Sequence, residues 1–553
     1  MHIKSVFLFL ILIQLSSFLI IGSSLSHSKE TAIPLIYKSP ALNSLEPEAI
    51  SNLLNSLHED KDILKKINII EPLSNTILPS DIASIIFTWD DFANISLWHL
   101  KISHNDEILV HAFLDNPWWI PKKGLWDNLK AKAKTNKLKI TIIGIGGWDG
   151  RQVLSKGVTS FSFSQCPLNA KIQFMRKPLP FLEAKKHPEK TELLTGNPTL
   201  YSKPELRMSN VATCANCHTY SSNGKIMAMD IDYKGDKGAF AMIDIQQSKS
   251  IGVDNIFSWN KVPVQKPAKY SMGLFAQLSP KGRYIAGTVN ETSVFVMMDD
   301  LYFSQLFYPS TGQIAIFDQK LKKYSPLTGA DNLKIVQTGP TWSPDGKTIA
   351  FSATPTDPEL IEKAITKKVL KESCKQNIKE LNQKYNVQFD IYTVPFNKGK
   401  GGTPVLLKGA GQNGKSNYFP RYSPDGKWIV FTQSPTGLVL QPDSKLCIVP
   451  AKGGSSRYLK SNMPIMNSWH SWSPNSKWLV FTCKATSPYT ELYLTHINEK
   501  GIASPAFRLF RLSHNTLAAM VPEFIPLSTE IPNTISFNLP DLKAKNEMAI
   551  DGR

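Results

Sequence analysis

Cys214, Cys217 and His218 form a C-x-x-C-H run. Two thiols three positions apart can add to the two vinyl groups of one porphyrin, and the side chain that follows brings an imidazole to the iron. The spacing therefore reads as an attachment site for one covalent haem c, with His218 as the proximal iron ligand. Other uses of paired cysteines compete. A redox dithiol belongs in a βαβ setting and half of a zinc site needs a second ligand pair close by, and the surrounding sequence offers neither. A structural disulfide stays open. Cys166, Cys374, Cys447 and Cys483 are widely spaced. Cys447 and Cys483 are expected on strands of successive repeats, where they either pair or remain buried thiols.

The elements that must position this run repeat along the chain. Leu278-Ser279-Pro280-Lys281-Gly282, Trp342-Ser343-Pro344-Asp345-Gly346, Tyr422-Ser423-Pro424-Asp425-Gly426 and Trp472-Ser473-Pro474-Asn475-Ser476 each lead through a tight turn into an apolar strand. Proline presets the turn, Asp or Asn caps it, and glycine takes the left-handed backbone. A second strand follows each copy: 313–318, 390–395, 445–450 and 491–497. The copies resemble the TolB-type β-propeller repeat, in which each unit builds one four-stranded blade. The resemblance covers residues 205–530 and implies a fold, since propellers host binding, scaffolding and catalysis alike.

His218 to Lys225 aligns without a gap on His470 to Lys477, which makes the C-x-x-C-H run the entrance to the first blade, with Gly238 to Ile245 as its partner strand. The resemblance implies that this segment is an innermost strand, so that His218 lies near the central channel and the haem at one mouth. The matching positions elsewhere are Ala276, Pro340, Pro420 and His470. His470 thus becomes a candidate for the distal iron ligand, with Met272, Met463 and Met466 as thioether alternatives and an open sixth position as the third outcome. A closed iron implies electron transfer; an open one permits chemistry on a small oxidant. The longest interval between copies contains 359–388, where apolar residues at helical spacing predict a helical insertion. Val521 to Ile525 reads as a terminal strand. Together with five repeats it gives six blades, with five as the alternative, closed by pairing of the chain's two ends.

Upstream, Val6 to Ile21 form an apolar run behind Lys4. Residues 1–24 are expected to be a Sec-type export signal or an uncleaved anchor in the inner membrane. Either places the protein in the periplasm or elsewhere outside the cytoplasm, where c-type haem is attached. Residues 25–72 read as a polar leader with a helix within 46–67. Short strands in 73–175 read as a small immunoglobulin-like β-sandwich, 176–204 as a linker, 205–540 as the propeller and 541–553 as a tail. The fold class is all-β. Gly144, Gly146, Gly147 and Gly150 lack the helix that a nucleotide loop needs. Trp118 and Trp119 read as core and rim packing before a sugar platform.

With 42% apolar and 20% charged residues the chain is globular, and at 553 residues it holds more than one domain. Its formal charge of +18 is carried by lysines scattered throughout, without the basic stripe of a nucleic-acid binder; an anionic membrane surface fits the charge. Ser271 lacks the first glycine of a nucleophile elbow, which argues against a serine hydrolase. The expected function is that of an exported monohaem c-type cytochrome exchanging electrons with an unidentified redox or envelope protein. The alternative is a TolB-like propeller that binds or scaffolds proteins or glycans, with haem as sensor or structural element.

Overall fold

The computed structural model describes residues 34–42, 46–59, 64–105, 107–134, 136–147, 150–209, 211, 217–263, 271–298, 300–304, 306–366, 370–371 and 375–538. The expected signal or anchor 1–24, Cys214, Cys374 and the tail 541–553 lie outside them.

The N-terminal unit is built on strands β1 (Leu35–Lys38), β2 (Ile95–His104), β3 (Glu107–Leu114), β4 (Leu138–Gly146) and β5 (Gln152–Phe163), in spatial order β1-β3-β2-β4-β5. The three inner pairings are antiparallel and β1 runs parallel to β3; residues 58–59, 65–66 and 76–78 pair along the far edge of β5. Alternation decides which side chains are core. Leu100, Ile102, Val110, Ala112, Ile140 and Ile142 face a second layer and are buried. That layer combines a three-stranded sheet (Asn68–Glu71, Phe87–Asp90, Trp118–Trp119) with helix α2 (Lys123–Ala133), which buries Trp126, Leu129 and Ala133 at helical spacing. Helix α1 (Pro47–Ser56) covers part of the opposite face, over Leu97, Phe113 and Ile145. The leader thus contributes β1, α1 and edge strands to this unit, and α2 is an element the strand-by-strand reading did not anticipate. Trp119 is buried and Trp118 is 49% exposed, as core-and-rim packing requires.

Residues 170–538 form a six-bladed propeller. Blades 1 to 5 follow the chain, with innermost strands His218–Tyr220, Leu274–Leu278, Ile335–Trp342, Ser416–Tyr422 and Ser468–Trp472. The sixth joins both ends of the chain: its innermost strand is Ala518–Pro526, and its outer three are Ala170–Lys177, Glu192–Gly196 and Glu205–Met208. The expected linker 176–204 is therefore corrected. It holds blade strands, and the sandwich ends before Ala170, because pairing with the C-terminal strand is what removes an open sheet edge. Neighbouring innermost strands touch all the way around the ring. The insertion in blade 3 contains the helices Pro358–Ile365 and Lys375–Lys384, which pack on the long hairpin 284–318 of blade 2. Cys447 and Cys483 are both buried free thiols rather than a pair.

Blade 5 shares one core with the N-terminal unit through Trp478, Val480, Leu492 and Leu494. At the seam the buried Glu71 accepts a hydrogen bond from the Arg508 main-chain N–H at 2.7 Å, and the Arg508 guanidinium also meets Glu491 at 3.2 Å. Burial pushes the Glu71 carboxyl up to about 7, against the opposing pull of Arg508. A carboxyl whose folded pKa is raised stabilises the fold fully below its unfolded pKa and loses that stabilisation as pH rises through the folded value. Stability from Glu71 should therefore fall between about pH 4.5 and 7. Denaturant midpoints of wild type and Glu71→Gln, measured from pH 5 to 8, should diverge in favour of the variant as pH rises. A constant difference would show that Glu71 does not titrate in that window.

Candidate functional site at the mouth of the propeller channel

Each innermost strand of blades 2 to 6 carries one residue in left-handed backbone: Phe275 (φ 57), Gly339 (φ 63), Phe419 (φ 54), Trp469 (φ 46) and Val521 (φ 47). In blades 2 to 5 the pairing register shifts there, the mark of a β-bulge; in blade 6 it shifts close by. Non-glycine residues avoid this backbone, so its recurrence at matching positions is a constraint of the ring rather than local chance. The matching position in blade 1 is Cys217. These six residues surround the waist of the channel, a space of about 470 Å³ between atoms to which every blade contributes. Phe419 and Trp469 stack with centroids 4.9 Å apart, and Phe275 meets Phe419 edge-on at 4.9 Å, so aromatic rings narrow the passage.

Above the waist lies a mostly apolar cleft holding about 990 Å³ between atoms, part of it open to solvent. Met272, Leu274, Phe295, Phe307, Leu440 and Met520 form much of its wall, with Cys217 at its base and Asp230 and Lys237 as polar members. Asp230 fixes Cys217 from both sides: its Oδ1 accepts the Cys217 N–H at 2.7 Å, and its own N–H donates to the Cys217 carbonyl at 3.1 Å. Burial, reinforced by the Asp230 charge, pushes the Cys217 thiol far above its ordinary pKa. The buried Glu291 carboxylate accepts the Met272 N–H and so sets the bend that carries Met272. Burial raises Glu291 to about 8.

Below the waist the channel is polar. Arg421 donates to Gln277 Oε1 at 2.6 Å and to Glu523 Oε1 at 2.7 Å, and Ser471 Oγ donates to Glu523 Oε2 at 2.9 Å. A wider space of about 1,210 Å³ opens there among the repeated turns.

The two histidines hydrogen-bond into blade seams, and His470 also lines the waist. His218 opens the strand His218–Tyr220 and is buried. His218 Nε2 donates to the Gln173 carbonyl at 3.3 Å, across the seam between blades 1 and 6. His470 repeats this geometry: its Nε2 donates to the Val430 carbonyl at 3.0 Å, across the seam between blades 5 and 4. Burial pulls the His470 imidazole down to about 3 and keeps it neutral. The two histidines are thus equivalent in the repeat, as the alignment required, yet they occupy separate seams. Of the distal candidates, Met272 shares the cleft with Cys217; Met466 is buried beside Trp469 and Met463 packs against the core of blade 5. Among the described residues no three His, Cys, Asp or Glu groups converge as a site for a bare metal ion. The ring of bulged residues was missed in the sequence, although the alignment that equated His218 with His470 contained it one column earlier.

No family model and no curated protein matches this sequence. Among solved structures the chain is similar to TolB from Acinetobacter baumannii, at 15% identity and a TM-score of 0.40 over 70% of this chain and 79% of that one. It is also similar to hydrazine synthase of Kuenenia stuttgartiensis, at 13% identity and a TM-score of 0.29 over 56% and 74% of the two chains.

A thiol held protonated in an apolar wall reacts slowly. In the haem-free chain, an alkylating reagent at pH 8 should label the half-buried Cys166 at least ~10-fold faster than Cys217. Peptide mass spectrometry over a time course reads both rates, and equal labelling would mean that Cys217 is accessible as thiolate.

Proposed function

We propose that the chain is an exported monohaem c-type cytochrome whose haem occupies the apolar mouth of a TolB-like propeller. The observation that carries this reading is Cys217, the second cysteine of the C-x-x-C-H run, in the wall of a mostly apolar cleft. Cys214 and Cys217 would hold one haem c through thioether bonds. When bound, the group supplies one-electron chemistry at its iron. The chain's part is to exclude water with Phe275, Phe295, Phe307 and Trp469 and to fix the attachment point through Asp230.

The fit is uneven. The thiol and the cleft suit the group, whereas the His218 imidazole faces the blade seam and must leave the Gln173 carbonyl to reach an iron. Met272 already lies in the cleft wall. The export-type run ahead of the described residues supports an extracytoplasmic, periplasmic setting, with a redox or envelope protein as partner. The second reading, a propeller that binds or scaffolds envelope proteins or glycans, is favoured by the wide polar mouth around Arg421 and Glu523.

Co-expression with c-type maturation machinery and a pyridine haemochrome spectrum tests the proposal. One covalent haem per chain is expected, lost in Cys214→Ala/Cys217→Ala. Carbon monoxide should bind the reduced Met272→Ala variant more readily than the reduced parent. Absence of covalent haem under those conditions would overturn the cytochrome reading and leave the binding propeller.

A further inference from the structure

The N-terminal sheet has a face that α1 covers only in part. Strand pairing sets Ile36 opposite His111, His111 opposite Lys101, Lys101 opposite Thr141, and Thr141 opposite Val158. These side chains form one row across β1, β3, β2, β4 and β5. The row points away from the core, because the alternate positions Leu100, Val110, Ala112, Ile140 and Ile142 are the buried ones. Its two ends are bare aliphatic side chains: Ile36 is 54% and Val158 55% exposed. Lys139 stands two residues along β4 from Thr141 on the same face and is exposed. On the other side of the row, Lys156 stands two residues from Val158, with the exposed Lys66 paired opposite it. None of the named row positions is a carboxylate; Glu107 pairs with His104 at the end of the β2–β3 hairpin.

Exposed aliphatics set among lysines on one flat face match the chemistry of an anionic bilayer surface. Apolar groups enter the headgroup boundary while each nearby lysine gains from the negative surface potential. The course of the chain supports the same occupant. β1 is the edge strand that carries Ile36, and the described residues begin at Pro34, a dozen positions after the apolar run that ends at Ile21. A dozen extended residues reach at most ~40 Å. With the run held in a bilayer as an anchor, this linker would leave β1 and its face within reach of that surface.

We infer that this face of the N-terminal sheet docks on an anionic membrane surface, with Lys66, Lys101 and Lys139 as its electrostatic contacts and Ile36 and Val158 as its apolar ones. The inference is independent of the haem reading.

Flotation of the chain starting at Leu25, which retains every described residue, with phosphatidylcholine vesicles with and without phosphatidylglycerol tests it. Binding is expected only to the anionic vesicles and should weaken with added salt. Lys101→Glu/Lys139→Glu should lower the partition coefficient at least ~10-fold, whereas Lys400→Glu/Lys452→Glu on the propeller should leave it unchanged. Thermal melting monitors folding, and Lys101→Gln and Lys139→Gln singly carry the test if the double reversal unfolds. Equal binding to both vesicle types, no binding at low salt, or an undiminished partition of the Lys101 and Lys139 variants would each overturn the inference.

Discussion

The propeller depends on one pairing between the chain's distant ends, that of Ala170–Lys177 with Ala518–Pro526. Without it blade 6 loses its innermost strand and the ring becomes an open array with two exposed edges. Gln173 sits at the centre of this closure and is fully buried. Its main-chain carbonyl accepts from His218, its side-chain oxygen accepts from the Tyr220 hydroxyl, and its amide donates to Thr195. The strand that closes the ring is thereby tied to the first blade as well as to its own. The N-terminal unit then packs beside this closure, through the core it shares with blade 5.

What the sequence made legible was local chemistry. In the turn of blade 3, Ser343 Oγ donates to Asp345 Oδ1 at 2.6 Å, the same oxygen accepts the Lys347 N–H at 3.0 Å, and Gly346 takes φ 68. Blades 1, 4 and 5 repeat the Ser-to-Asp or Ser-to-Asn bond at Ser221, Ser423 and Ser473. Each turn is fixed by residues within five positions of one another, so the pattern survives as a readable motif. The sixth blade has no such turn before its outer strands, because Ala170–Lys177 enters from another domain rather than from an inner strand. Residues 176–204 consequently looked like a linker. Strand 192–196 pairs locally with 172–176, but the strand that ties this hairpin into the ring, 170–177, pairs with 518–526, more than three hundred positions away, which no local pattern records.

The channel is graded along its axis. Aromatic side chains held on bulged backbone divide an apolar mouth from a polar one where Arg421 and Glu523 pair. Burial raises the Glu523 carboxyl, and Arg421 opposes that shift. An ion pair in such a place does more for the shape of the passage than for stability, since desolvation offsets much of the attraction. The gradient follows from the order of residues in each innermost strand: the bulged position ahead, a seam-facing position next, and a channel-facing polar position after it.

That same order explains why the two halves of the C-x-x-C-H run part company. Cys217 lines the waist, while the His218 ring reaches the Gln173 carbonyl in the seam with blade 6. The repeat had been used in the sequence to carry His470 into the haem site by equivalence with His218. Both imidazoles hydrogen-bond a main-chain carbonyl of the neighbouring blade, and His470 also lines the waist with Cys217. For an iron to take His218, the chain must give up a hydrogen bond that joins blade 1 to the closing blade. A haem bound there would compete with ring closure for one imidazole, while Met272, a thioether in the cleft wall, does not depend on that seam bond. Its position is governed by Glu291, a buried carboxyl on a neighbouring strand of the same blade.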